Sequence, residues 1–162
     1  MKIINLLGEE KVVNDCLGCE LANGMLDVFG GMLYQDEYFN ISQDFELPID
    51  GFIIIASNKH YEFINDITDS ERFLLINLIN KVTKLLRSYE VCSEFNIILE
   101  EKVGRHFHVW IMPRHKWMIE KFGNVLKNIQ VIQDYAKENM RTEENILKIE
   151  DTCKKLKYDL NK

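Results

Sequence analysis
The sequence predicts an α+β domain: an antiparallel β-sheet with one long helix packed on it, plus a C-terminal helical extension. Three observations predict this. Short apolar runs broken by turn residues fill the first half. One amphipathic stretch, 68–90, is far longer than any of them. Further helical patterns come only after the last strand, and strands followed by grouped helices define the α+β class.

The elements follow in order. Gly30-Gly31 marks a turn, and "MLYQDEYFNISQDFEL" reads as two short strands around the polar break Gln35-Asp36-Glu37. "LPIDG", 47–51, is a turn by its proline and Asp-Gly pair. "FIIIAS", 52–57, is a continuous apolar run rich in β-branched residues, which predicts a buried strand. Thr68-x-x-Glu71 is a capping-box pattern that starts the long helix. Phe73, Ile76, Ile79, Val82 and Leu86 recur there at helical spacing, with Leu75, Leu78 and Leu85 widening the stripe. "FNIILEE", 95–101, and "RHFHVWIMP", 105–113, are strands, the second ended by Pro113. "NVLKNIQVIQDYAKEN" reads as helix. So does the segment from Thr142 onward, with Ile146, Ile149, Cys153 and Leu156 on one stripe.

Length and composition bound the function. The chain has 162 residues, of which 46% are hydrophobic and 28% charged, enough for one domain with a real core. A net charge of −6 and the lack of a long basic run argue against duplex nucleic acid as a partner. No stretch has the roughly 18 apolar residues of a membrane span. The apolar start "MKIINLLGEEKVV" meets Glu9 and Glu10 too soon for a signal peptide. The expectation is a cytoplasmic protein with reduced cysteines.

Three of the four histidines lie within "GRHFHVWIMPRH", 104–115. On a strand, residues two apart share a face at about 6.6 Å spacing. His106, His108 and Trp110 would then share one face, and Phe107, Val109 and Ile111 would enter a core. Imidazoles on one face serve metal ligation or nucleophilic and acid–base work on phosphates, or are simply polar positions on a half-solvated strand. Cys16-x-x-Cys19 is half a zinc site, a redox pair or two idle thiols. A redox role fits poorly without a surrounding βαβ pattern. Two thiolates and two imidazoles together meet the tetrahedral demand of a structural Zn²⁺, which would fasten an otherwise poorly structured N-terminus to the sheet.

"HFHVWIMPR" resembles the motif of the histidine-triad (HIT) superfamily, His-φ-His-φ-His-φ-φ followed by Pro-Arg. "CLGCELANG" is similar to the Cys-x-x-Cys opening of bacterial HIT proteins. "YQDEYFNISQDFELPIDGFIIIASNKH" and "FINDITDSE" resemble the blocks that come next. The likeness covers roughly residues 16–118. It implies a HIT-like nucleotide-binding domain over 1–120, with 121–162 a helical extension of the same domain. It implies nucleoside phosphoramidates or dinucleoside polyphosphates as substrates, and a homodimer. It implies His108 as the nucleophile that attacks the α-phosphorus, Asp44 at the ribose, and zinc on Cys16, Cys19, His60 and His106.

The sequence departs from the motif in two places. Trp110 stands where the third histidine would be. An indole has no proton to give near neutral pH, so Trp110 stacks on a base or fills the pocket floor. In "EEKVGRHFH", Glu100 replaces an Asn and the phosphate-binding Gln is absent; Lys102 and Arg105 are the nearest cations. Arg105 is the preferred phosphate clamp, the alternative being that Lys102 and Arg105 are solvated loop charges. Arg114 reaches the leaving group or closes the strand in solvent. The expected activity is a HIT-type nucleotide hydrolase or transferase. The alternatives are a catalytically weak nucleotide-binding or sensing protein, and an interaction module using the apolar stripe of the C-terminal helices.

Overall fold
The computed structural model describes residues 1–101 and 106–162. Along the chain run β1 (Lys2–Ile4), β2 (Glu10–Val12), α1 (Leu17–Ala22), β3 (Tyr34–Gln35), β4 (Phe39–Gln43) and β5 (Ile53–Ser57). After a 3₁₀ turn, Ile64–Asp66, come α2 (Asp69–Ser88), β6 (Phe95–Leu99), β7 (His108–Pro113), α3 (Lys116–Phe122), α4 (Ile129–Asn139) and α5 (Glu143–Leu160). Strands β3 to β7 form one antiparallel sheet in the order β3-β4-β5-β7-β6.

Alternation along the strands divides the sheet into two packed faces. Phe39, Ile41, Ile53, Ile55, Phe107, Val109 and Ile111 join Leu75, Leu78, Val82 and Leu86 of α2 in one core. Ile149, Cys153, Leu156 and Leu160 of α5 enter that same core. On the other face, Phe52 and Met112 pack with Met118, Val125, Ile132 and Ala136 from the α3–α4 region. The apolar stripe of the last helix is therefore consumed by the chain's own core, which removes the motive for reading it as a partner surface. Truncating Leu156 to alanine is expected to cost about 2–5 kcal/mol, as for other fully buried leucines. Urea unfolding measures this. A cost below about 1 kcal/mol would mean that α5 is only loosely docked.

Four local expectations are corrected. The start of α2 is as read: Thr68 accepts from the Glu71 amide, and the Glu71 carboxylate accepts from the Thr68 amide at 2.6 Å. The stripe's centre is not as read, because Phe73 and Ile76 are 73% and 63% exposed while Leu75 and Leu78 face the sheet. The N-terminus is structured, as a β1–β2 hairpin. Helix α3 forms directly after Pro113, and residues 124–128 precede α4 rather than belonging to it. The regular ladder of β7 begins at His108, so His106 lies outside it. The reason is a local detour: the Phe107 amide donates to Tyr61 O at 2.6 Å, and its carbonyl accepts from Ser57 N.

Candidate metal centre and histidine cleft
Two short polar segments build the first half of the site. Cys16 precedes α1 in extended conformation, and Cys19 lies within its first turn. The buried Glu20 carboxylate accepts from the Asn14 and Asp15 amides at 2.7 and 3.2 Å, which fixes the chain's entry into α1. Gly18 between the cysteines lies against the His106 ring. A Cβ at that position would sit 2.5 Å from two ring carbons. Only glycine lets the imidazole reach both sulfurs.

The second half comes from the end of β5 and the approach to β7. His106 is 5% exposed. Its Nε2 lies 2.7 Å from Ser57 O, and a carbonyl can only accept, so Nε2 carries the proton. Its Nδ1 therefore keeps a lone pair, and it faces Cys16 Sγ at 3.3 Å and Cys19 Sγ at 3.5 Å. His60 Nδ1 stands 3.2 Å from Cys19 Sγ. All four ligand atoms lie within 4.8 Å of one another. Tetrahedral Zn–S and Zn–N bonds of ordinary length put sulfur and nitrogen about 3.6 Å apart, close to these separations. The Nε2–H to Ser57 carbonyl bond is the outer-shell contact that orients a metal-ligating imidazole. Burial pushes the Cys19 thiol up to about 11, with the hydrogen bond and charge of Cys16 adding to it. Burial likewise lowers the His106 pKa. A divalent cation offsets such penalties by holding the thiols as thiolates. Cys16, Cys19, His60 and His106 fit a structural zinc.

Gly18→Ala is expected to lower zinc affinity by about 10–100-fold, the usual effect of disturbing a ligand's supporting contacts. Competition with a colorimetric chelator reads this directly. Unchanged affinity would show that the ring does not need this approach.

His108 stands apart from the metal cluster. Its Nδ1 lies 2.7 Å from His106 O, so Nδ1 holds the proton and Nε2 carries the free lone pair of the neutral ring. The ring is half-buried and faces the α3–α4 side of the sheet. Ala56 of β5 pairs directly with it and is buried. Helix α1 borders this region, since Ala22 O accepts from Gln35 Nε2 at 3.0 Å, and Asn58 Oδ1 accepts from both Gln35 and Asn40. Trp110 stacks obliquely on His108, with centroids 6.2 Å apart, and meets the Phe52 ring edge-on at 5.7 Å.

Asp44 follows β4 and shares the His108 face, four residues beyond the Asn40–Ala56–His108 row, about 13 Å along the strand. Its carboxylate accepts from the Glu46 and Leu47 amides at 2.9 and 2.8 Å, and burial pushes it up to about 6. Arg114 lies at the other end of β7, ion-paired with Glu94 at 2.7 Å, and is not brought to His108. Arg105, with Lys102, lies outside the described residues. Sequence reasoning missed Gly18, Ser57 and the Gln35–Asn58–Asn40 amides. A glycine between two metal-ligating cysteines was the one available signal.

A five-stranded antiparallel sheet carrying a Cys₂His₂ cluster beside the His108 imidazole can be compared with known proteins. No family model matches the chain. An uncharacterized HIT-like protein of Methanocaldococcus jannaschii is 25% identical over 123 residues, covering 72% of this chain and 92% of that protein. Two solved structures share the fold. A HIT-like protein involved in cell-cycle regulation from Bartonella henselae matches with a TM-score of 0.63 at 16% identity, over 91% of this chain and 98% of that one. A zinc-bound histidine triad family protein from Mycobacterium smegmatis matches with a TM-score of 0.62 at 15% identity, over 88% and 95%. The chain is similar in sequence to a HIT-like protein and shares the fold of HIT structures, and its Cys16, Cys19, His60 and His106 fit a structural zinc. Among the described residues no helix is long and apolar enough to cross a membrane.

Proposed function
We propose that the chain is a nucleotide hydrolase or nucleotidyltransferase acting at the α-phosphate of a nucleoside phosphoramidate or dinucleoside polyphosphate. One observation carries the reading: the His108 Nδ1–H bond to His106 O leaves the Nε2 lone pair of this half-buried ring without a partner among the described residues. Nε2 attacks the α-phosphorus. A P–N bond forms as the bond to the leaving amine or phosphate breaks, and the leaving group takes its proton from water. Water then attacks the same phosphorus, the P–N bond breaks, and the neutral imidazole returns as a proton passes to solvent. The Nδ1–H bond keeps the ring oriented and stabilises the positive charge it acquires. Cys16, Cys19, His60 and His106 would hold zinc, which would supply rigidity by tying α1 and the His60 loop to His106, whose carbonyl orients His108. In this reading Trp110 stacks on the base and Asp44 contacts the ribose.

Turnover of a fluorogenic nucleoside phosphoramidate and of diadenosine polyphosphates, set against the His108→Ala variant, tests this. Turnover lost in the variant supports it. Equal turnover in both forms defeats it. A second reading, a nucleotide-binding protein with slow turnover, draws support from Trp110, because an indole packed on Phe52 cannot protonate a leaving group. Tight nucleotide binding without turnover would favour it.

The proposal includes a cytoplasmic homodimer. Strand β6 is an edge strand, with Ile97 and Leu99 46% and 38% exposed. Phe73 and Ile76 of α2, on the same side of the sheet, are exposed too. An open strand edge beside an apolar patch is the kind of surface a second copy covers. Light scattering after size exclusion should show a dimer that Phe73→Glu and Ile97→Lys convert to monomer. A wild-type monomer at micromolar concentration would contradict this.

A further inference from the structure
At the end of the sheet away from His108, a cavity of about 410 Å³ opens between the β4–β5 turn, the end of α2, the start of α3 and one side of α5. Its size is that of sites for small organic ligands. Helix α5 supplies much of the wall, through Asn145, Lys148, Asp151, Thr152 and Lys155. The unmet hydrogen-bonding capacity here is for donors. Asp50 Oδ1 is buried without a partner, which is costly for a carboxylate. His115 donates its Nε2–H to Asp50 O at 2.7 Å, which leaves its Nδ1 as an acceptor. Glu90 sits at the rim with no ion-pair partner among the described residues, and its backbone is left-handed at φ 60. That helix-end position favours glycine, so a glutamate there bears a conformational cost.

The lining cations are already committed. Lys155 pairs with Asp151 at 2.6 Å and Lys148 with Glu144 at 2.6 Å. Asp50 and Glu90 are the lining carboxylates that have no ion pair among the described residues. A metal ion is not the natural occupant. Among the described residues only the Cys16 centre brings three or more ligating groups within metal-binding distance. The walls are partly aromatic instead. Trp117 is braced by Tyr135 and Phe122, and Tyr89 is held by Asp159 through its hydroxyl. Aromatic faces beside carboxylates suit an alkylammonium group.

We propose that this cavity binds a small organic cation bearing primary amines, with an ammonium group between Asp50 and Glu90 and its alkyl part against Trp117. The site is separate from the His108 cleft, so its test does not depend on the activity proposed above. Putrescine is the probe, titrated into the full-length ¹⁵N-labelled chain and followed by NMR and calorimetry. Saturable shifts are expected at the Trp117 indole and the 89–91 and 115–117 amides. Asp50→Asn and Glu90→Gln should each weaken binding by at least about tenfold. Glu90 is exposed, so its variant keeps the fold even if the buried Asp50 substitution perturbs it. A neutral diol of the same length should give no saturable shift. The proposal is overturned if putrescine gives none up to about 10 mM, if the diol matches it, if the Glu90→Gln variant binds as wild type, or if inorganic phosphate binds there instead.

Discussion
His108→Ala is expected to lower turnover of a nucleoside phosphoramidate by about 10³-fold or more while leaving nucleotide affinity nearly unchanged. The size follows from the role. A residue that forms the covalent intermediate cannot be replaced by positioning alone, and losing a nucleophile removes an interaction made only on the reaction path. In the proposed function affinity should survive, since His108 would contact one phosphate while base and ribose would be held elsewhere on the sheet face. Replacing Trp110 should show the converse pattern, with KM rising more than kcat falls, because stacking on a base binds substrate and transition state alike. Steady-state kinetics on both variants reads the split. A His108→Ala variant with a raised KM and an unchanged kcat would make this imidazole a binding group.

Cys19→Ser, or removal of zinc with a strong chelator, is expected to cost on the order of 5 kcal/mol of stability. Structural zinc binds isolated peptides with about 10 kcal/mol or more, and part of that is recovered by thiolates in the unfolded chain. Cys19 faces both imidazoles, at 3.2 and 3.5 Å, so the serine variant loses contact with each. The loss should be local first. The core of β4, β5, β7 and α2 does not depend on the centre, whereas α1 is held by it and by the Gln35 amide. Hydrogen exchange and limited proteolysis should therefore show the α1 segment opening while the sheet stays protected, as does the β1–β2 hairpin, which Arg141 and Phe45 hold independently of the centre. Metal analysis of chain purified without chelator should give one zinc per chain. A metal-free chain with the same unfolding midpoint would exclude a structural role.

Much of the frame was legible because it rests on short-range chemistry. The Thr68–Glu71 cap needs only a four-residue pattern, and the apolar run of β5 needs only its β-branched residues. Phe73 and Ile76 misled because periodicity gives the spacing of a stripe but not its centre. Which flank meets the sheet depends on where α5 packs, and Leu75 and Leu78 won that position. The β1–β2 hairpin was hidden because each strand is three residues long, too short for alternation to register. In the site, the ligand types could be counted from the sequence, but their orientation could not. The two carbonyls that fix the tautomers, Ser57 O and His106 O, have no sequence signature. Arg114 looked like a phosphate contact by its place after the motif. Along an extended strand, however, six residues carry it about 20 Å from His108, where Glu94 meets it.

If the proposed function is right, residue 108 becomes covalently nucleotidylated during turnover. Acid-quenched mixing with a nucleoside phosphoramidate, followed by intact-mass and peptide mass spectrometry under conditions that preserve phosphoramidate bonds, tests it most directly. One nucleotidyl group per active chain is expected, mapped to His108 and absent from His108→Ala. Turnover with no adduct at any quench time, or an adduct on another residue, would contradict it.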